Sequence, residues 1–447
     1  MTAMTDRNYD DYILEKAEVC RKNDTISDDL FKQYHVNRGL RDVNGQGVLT
    51  GLTRISQINA FKMVDGVKTP CDGELWYRGH RIENLILGLK DGHPGFEKIS
   101  YLLLFGELPT ESELTEFTAQ LAKYRHLPKN FTRDVVMKSP TADIMNSMTK
   151  SILTLATYDR QLTDNSLEHN IQQLLRLIAV FPMLACYAYH ADNHYNHDGS
   201  MYIHRPKDTL STSENFLRML RPDSNYTPTE ATALDACLIL HMEHGGGNNS
   251  TFTTRVVTSS GSDAYSSIAA AMSSLKGPRH GGANLRVMGM IDNIKRNVHD
   301  VSDRAEMKDY LSKMLDGEVY DHAGLIYGMG HAVYSLSDPR ERILKKFADA
   351  LAQEKNMQQE MDLYRMIEEL APEIIAEKRH IYKGVSPNVD FYSGFTYEMM
   401  GIPRVLFTPL FAIARIVGWS AHRLEELVGN GKIIRPAYKS VMEKLDD

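Results

Sequence analysis

Residues 170–191 read NIQQLLRLIAVFPMLACYAYHA, a run whose apolar side chains extend most of the way round a helix. A helix of that kind has no face to give to water, so the sequence predicts that it lies at the centre of the molecule with other helices around it. The flanking chain keeps the same period in FEKISYLLLFGELP (96–109), SELTEFTAQLAKY (112–124) and TADIMNSMTKSILTLA (141–156). The exception is 48–79, where Ile55, Ile58 and Phe61 precede the turn-rich DGVKTPCDG and the LWYRG run, the pattern of a small β meander. DAYSSIAAAMSSL (263–275) is dominated by Ala and Ser, which suit close helix packing and bring no chemistry. Residues 302–315 and 339–378 interleave acids and bases at helical spacing and read mainly as solvated faces. The fold class expected is therefore mainly α.

Composition narrows the function. The chain has 447 residues and 42% hydrophobic content, enough for a sizeable core and more than one lobe. A formal net charge of -7 leaves no electrostatic footprint for nucleic acid. No stretch reads as the roughly 20 uninterrupted apolar residues that cross a bilayer, so no membrane partner is expected. The first twenty residues, MTAMTDRNYDDYILEKAEVC, have no apolar core and too many acids for a secretory or transit peptide, and Cys20, Cys71, Cys186 and Cys237 show neither metal spacing nor disulfide density. Both observations point to the cytoplasm. There is no internal repeat or low-complexity tract.

Three histidines sit beside glycines: His244 in EHGGGNNS, His280 in GPRHGGAN and His331 in GMGHAVYSLSDPR. Glycine lets backbone or ligand approach the ring. Singly, each histidine is as well explained by a helix end or turn; three together favour a site. Asp390, in SPNVDFYSG, stands between Val389 and the aromatic Phe391 and Tyr392, where desolvation would make it a better base; its plainer reading is a helix N-cap. Arginines occur in apolar settings at Arg340, Arg415 (LFAIARIVGW) and Arg435 (IIRPAY). A buried Arg415 needs a carboxylate, from the protein or a ligand, while internal salt bridges would account for Arg340 and Arg435. Several forked guanidiniums together suit a dicarboxylic acid. Metal is not expected, since no HExxH occurs and His241 and His244 are spaced i to i+3. Phosphate-loop and GxSxG motifs are also absent. The residues alone thus reach proton transfer beside a small anion and do not name the substrate.

GPRHGGAN, GMGHAVYSLSDPR and NVDFYSG, in this order and about fifty residues apart, resemble the signature segments of citrate synthases. GELWYRGHRIENL, FEKISYLLLFGELPT, DTLSTSENFLRML, EHGGGNNSTFTTRVV and VLFTPLFAIARIVGWSAHRLEE extend the resemblance over about 50–440, leaving residues 1–50 as an unexplained N-terminal arm. The resemblance implies a large helical domain (51–279 and 387–447) and a smaller helical domain (280–386) that binds acyl-CoA and closes by a hinge. It implies a homodimer with shared active sites. Its implied activity is condensation of acetyl-CoA with oxaloacetate and water to citrate and CoA, through an enol or enolate and citryl-CoA, with no cofactor. Asp390 corresponds to the base, His280 to the donor at the thioester oxygen and His331 to the group polarising the ketone. His244, Arg340 and Arg415 correspond to oxaloacetate ligands, and Arg435 to the arginine given by the other subunit. Such concerted help is what a weakly acidic thioester α-proton requires.

The chain departs from that pattern around CoA. Ser335 stands where a cation is usual, Met329 replaces an aromatic or small residue, and Arg279, Leu285 and Arg286 are atypical. Arg279, Arg286, Arg342, Lys345 or Lys383 is therefore expected to supply the missing phosphate contact. A 2-methylcitrate synthase using propionyl-CoA remains open, as does, from another class, a silent regulatory dimer that binds an acyl-CoA or dicarboxylate; joint retention of His280, His331 and Asp390 argues against the latter.

Overall fold

The computed structural model describes residues 9–42, 47–87, 89, 94–331, 333–380, 384–429 and 431–442. Seventeen α-helices are present among the described residues against one three-stranded sheet, so the mainly helical reading holds. The chain forms two compact units, Met1–Gly51 and Leu52–Asp447. The first contains the helices Tyr9–Asp24 and Asp28–Gln33. The second contains the core, the sheet and every site residue described below.

The apolar run quoted above forms the helix Leu167–Asn196, opened by Ser166, whose hydroxyl accepts the backbone N–H of His169. All of its residues from Leu177 to Ala188 are buried. Against it packs the helix Phe407–Val428, whose Arg415, Trp419, His422 and Arg423 are at most 1% exposed. These two segments correct the expectation that nothing in the chain is long and apolar enough to cross a bilayer. Leu167–Asn196 and Arg404–Val428 reach mean hydropathies of 1.5 and 1.3. They are core helices nonetheless, with 78% and 83% of their apolar windows buried inside the protein. The Tyr and His side chains that interrupt the first run find partners there: Tyr187 Oη donates to His204 O at 2.8 Å, and His190 Nε2 lies 3.0 Å from Met219 O.

Three antiparallel strands, β1 (Ser56–Val64), β2 (Val67–Tyr77) and β3 (His80–Arg81), pair in the order β1-β2-β3. Asp65 and Gly66 turn between the first two with φ of 50° and 80°, the left-handed pair that a two-residue hairpin of twisted strands needs. The meander starts at Ser56, not Val48. Leu52, just before the sheet, is 88% exposed and offers it no buried face that would favour extending the pairing back.

The Ala/Ser helix Ala264–Leu275 packs closely on the helix Asn249–Ser259, as its small side chains suggest. The charged stretch 339–378 is two helices, Pro339–Lys355 and Gln358–Arg379, broken where Asn356 caps the first in the left-handed conformation. Its outer face carries ion pairs such as Arg365 with Asp362 at 2.7 Å, but the first turn is buried: Arg340 and Glu341 are 4% and 3% exposed. That buried turn belongs to the site.

Candidate active site

The helix Pro228–His241 begins with a reciprocal cap between Thr227 and Glu230, carries Pro at its first turn, and delivers the chain to Glu243, His244 and the glycines after them. Gly245 has φ +86°, and a Cβ there would lie 3.0 Å from Ile58, so glycine alone lets the loop bend away under the strand. Burial, reinforced by Arg340, holds the His244 imidazolium well below its ordinary pKa, so the ring is neutral. Its Nε2 is buried with no partner among the described residues. Its ring centroid is 5.0 Å from that of His331 and 5.6 Å from that of Tyr334.

His331 lies in a loop braced on two sides. On one, Gly330 N donates to Ser386 O at 2.8 Å, Asn388 N to Gly328 O at 2.9 Å and Asn388 Nδ2 to Gly330 O at 2.9 Å. On the other, β2 reaches across: Gly73 N donates to Ser337 Oγ at 3.0 Å, and Ser337 Oγ to Asp72 Oδ1 at 2.8 Å. A Cβ at Gly73 would stand 2.2 Å from Ser337 O, so the strand can approach only because residue 73 has no side chain. His331 Nδ1 accepts the backbone N–H groups of Val333 (3.0 Å) and Tyr334 (3.1 Å). The neutral ring therefore carries its proton on Nε2 and is a hydrogen-bond donor there.

Asp338 caps the helix Pro339–Lys355 and is fully buried. Its two oxygens take Arg340 Nε at 3.0 Å and Nη2 at 2.7 Å, and Oδ2 also takes Val389 N at 3.3 Å. Val389 opens the helix Val389–Met399, whose N-cap is Asn388; its side chain accepts Asp390 N at 3.0 Å. Asp390 is thus not the cap. Burial pushes its carboxyl up to about 6, against the pull of Arg340.

Among the described residues Arg415 is held by one hydrogen bond, from Nε to His241 O at 2.7 Å, and its guanidinium lies 4.6 Å over the Phe411 ring. Nη1 is buried without a partner, and burial draws the group down to about 10. No protein carboxylate among the described residues pairs with it directly, which leaves the ligand alternative. The His280 ring flanks the same Phe411 at 6.3 Å, and burial, then Arg415, lowers His280 to about 4. His280 Nε2 lies 3.0 Å from Ser250 Oγ, which also accepts Trp419 Nε1–H at 3.0 Å and donates to Asn248 Oδ1 or to His280. When Ser250 donates to Nε2, the imidazole proton stands on Nδ1.

The structure thus joins His244, His331 and Arg340 around Tyr334, and His280 and Arg415 around Phe411, with Asp390 sensing the charge of both arginines. Neutral imidazoles that donate hydrogen bonds, a carboxylate with raised basicity and a guanidinium edge without a partner can bind a small dianion and move a proton beside it. The other expected residues that are described make different contacts or are exposed. Arg435 is exposed in the irregular segment 431–442. Arg342 pairs with Asp72 at 3.0 Å, Lys345 with Glu368 at 2.7 Å, and Arg286 lies 5.5 Å over the Tyr327 ring. Arg279 is exposed, Ser335 is buried with its hydroxyl unpartnered, and Lys383 falls outside the described residues. Sequence reasoning overlooked Asp338, Glu243, Ser250 and Tyr334. All four stand inside quoted motifs, Glu243 and Ser250 in EHGGGNNS and Tyr334 and Asp338 in GMGHAVYSLSDPR, and a carboxylate two residues before an arginine is the signal that could have found Asp338.

Residues 42–437 match the family model described as citrate synthase, C-terminal domain. The citrate synthase of Synechocystis sp. is 35% identical over 87% of this chain and 88% of its own length, and the 2-methylcitrate synthase of Shewanella oneidensis is 34% identical over 81% and 87%. Among solved structures, the citrate synthase of Pyrobaculum aerophilum superposes with a TM-score of 0.72 at 30% identity, covering 90% of this chain and 93% of that one. The Thermoplasma acidophilum citrate synthase, in a ternary complex with carboxymethyl coenzyme A and oxaloacetate, gives 0.75 at 26% identity, covering 92% and 97%. Matched by the family model over residues 42–437, and by relatives and solved structures of that name over most of its length, the chain belongs to the citrate synthase family.

Proposed function

We propose that this chain condenses acetyl-CoA with oxaloacetate and water to citrate and CoA. The observation that carries the reading is the pair of buried, unpartnered nitrogens, Arg415 Nη1 and His244 Nε2, together with the carboxyl of Asp390, which burial raises and Arg340 and Arg415 pull back. Arg340, Arg415 and His244 hold the two carboxylates and the keto oxygen of oxaloacetate. Asp390 takes a methyl proton from acetyl-CoA while His280 donates to the thioester oxygen, so the enol forms without a free carbanion. The enol carbon attacks the ketone as the enol oxygen returns its proton to His280 and the thioester carbonyl re-forms; His331 gives its Nε2 proton to the developing alkoxide, to be restored by the hydrolytic water, and the proton on Asp390 remains for the leaving thiolate, so that citryl-CoA results. Water then cleaves the thioester to citrate and CoA.

Residues 280–386 serve as the closing lobe over 51–279 and 387–447, which keeps water away until both substrates are bound. The working unit is a homodimer in which Arg435 of one copy completes the site of the other; its exposure in the single chain fits that role. The enzyme acts in the cytoplasm and needs no cofactor beyond its substrates. Propionyl-CoA is the competing donor, because a pocket discriminates one methylene by only about 1–3 kcal/mol and a 2-methylcitrate synthase is among the relatives. Thiol release from acetyl-CoA and from propionyl-CoA, each with oxaloacetate, decides between them. A higher kcat/KM on acetyl-CoA is expected; the reverse order would assign the propionyl reaction, and no release from either would end the proposal.

A further inference from the structure

A second buried network stands behind the site, and no step above uses it. His422 lies in the helix Phe407–Val428, fully buried, and its two ring nitrogens face groups of opposite kind. Nδ1 is 3.1 Å from Arg255 Nε and 2.7 Å from Arg255 Nη2. Nε2 is 3.0 Å from Glu243 Oε1. A guanidinium only donates, so Nδ1 must accept, and the neutral ring keeps its proton on Nε2, pointing at the carboxylate. Arg255 is fixed in turn by Glu425 and by Glu426 at 2.9 Å.

Glu243 Oε1 receives more than the imidazole. It accepts Ser56 Oγ–H at 2.8 Å and Gly245 N–H at 2.6 Å, closing the turn that begins at His244. The backbone of Glu243 is clamped as well, since Tyr77 Oη donates to Glu243 O at 3.0 Å and accepts Glu243 N at 3.3 Å. A Cβ on Gly246 would sit 3.5 Å from His422 Cε1, so the loop lies directly on the ring. Burial opposes the charge of Glu243, but the hydrogen bonds from His422 and Ser56 and the charge of Arg415 favour it and hold the carboxyl low. The charged groups around the ring are thus Glu243, Arg255, Glu425 and Glu426, with Arg415 and Arg78 facing the same carboxylates.

We infer that His422 is a positioning residue: held by Arg255 as the Nε2–H tautomer, it anchors Glu243 and through it fixes the 243–247 loop that presents His244 to oxaloacetate. The inference rests on the proposed role of His244. Its chemistry is directional. Glutamine at 422 can reproduce both contacts, its amide oxygen accepting from Arg255 and its NH2 donating to Glu243, whereas leucine fills the volume and makes neither.

The test compares wild type, His422→Gln and His422→Leu in thiol release with oxaloacetate and acetyl-CoA, with thermal unfolding alongside. His422→Leu is expected to raise the KM for oxaloacetate roughly tenfold or more, the loss typical of a hydrogen bond to a charged group, and to leave the KM for acetyl-CoA within about twofold. His422→Gln is expected to recover most of that loss. An unchanged oxaloacetate KM in the leucine variant, or a glutamine variant no better than leucine, would overturn the inference. Wild type inert toward oxaloacetate would instead count against the proposed activity. Independently of turnover, 15N-histidine NMR of the wild type at about pH 7.5, with the signal assigned by its loss in His422→Gln, is expected to show pyridine-like Nδ1 and pyrrole-like Nε2. A proton on Nδ1 would refute the arrangement, even if the leucine variant does not fold.

Discussion

Asp338 holds Arg340 through both carboxylate oxygens, at 3.0 and 2.7 Å, and the same carboxylate accepts the first amide of the helix that carries Asp390. One buried anion thus sets the relation between the substrate-binding cation and the base. Removing it strands a guanidinium in the interior. Asp338→Ala should lose about 3–5 kcal/mol in denaturant unfolding, the usual penalty for breaking a buried ion pair on one side. The double variant Asp338→Leu/Arg340→Met should regain most of that stability and none of the turnover. Equal stability of Asp338→Ala and wild type would contradict the arrangement.

Asp390 must be ionised to accept a proton, and its carboxyl is raised to about 6. The kcat/KM should therefore fall as pH drops through about 6. The sign is opposite for stability. The folded state holds this proton more tightly than the unfolded chain, so its favourable contribution is complete below pH 3.8 and is lost as pH rises through about 6. Asp390→Asn should lower kcat by roughly 10²–10⁴-fold with little change in oxaloacetate binding. At neutral pH it should unfold no earlier than wild type. An unaltered acid limb in the pH–rate profile would exclude Asp390 as the base.

Arg415 is charged and buried, and one of its terminal nitrogens has no protein partner. Methionine of similar length is expected to leave the protein as stable or more stable, because the desolvation of the cation disappears. Oxaloacetate affinity should drop by roughly tenfold or more, the value of a charge-assisted hydrogen bond. Calorimetric titration with oxaloacetate, beside thermal unfolding, reads both quantities.

If Arg435 of one copy completes the other copy's site, two inactive variants should rescue each other. Asp390→Asn mixed in equal amounts with Arg435→Ala, after exchange of subunits, should show about a quarter of wild-type activity, since half of random dimers are hybrids with one intact site of two. Activity no greater than that of the separate variants would place Arg435 in its own chain's site.

CoA phosphates need a cation that Ser335 cannot provide. Arg342 and Lys345 are engaged with Asp72 and Glu368, whereas Arg279 makes no ion pair among the described residues and Arg286 only covers a tyrosine ring. Arg279→Ala and Arg286→Ala are the variants expected to raise the KM for acetyl-CoA, by up to about fivefold at exposed positions. The effect should shrink as salt is added.

Local pattern disclosed much of this molecule. The period of residues 170–191 and the glycine-flanked histidines depend on neighbours in sequence and appear where they were read, whereas of the turn-rich DGVKTPCDG only Asp65 and Gly66 turn and the rest belongs to β2. What escaped notice depends on partners distant along the chain. Glu243, Arg255 and His422 meet across more than 160 residues, and no spacing announces a tautomer set by a remote guanidinium. The bilayer-length segments are interrupted by polar rings such as Tyr187 and His190, which a protein interior with its own acceptors takes up readily. The long charged stretch concealed a buried first turn because i to i+4 pairs describe one face of a helix and say nothing of its ends.

Gly73 carries no reactive atom, yet its bare α-carbon is what allows a peripheral hairpin to touch the backbone six residues beyond His331. A single methyl added there would act as a wedge, and the displacement would be felt at the imidazole and not at the surface. The strand thus has a part in chemistry it never performs, because the room left at position 73 is what seats Ser337 and the Tyr334 ring beside it.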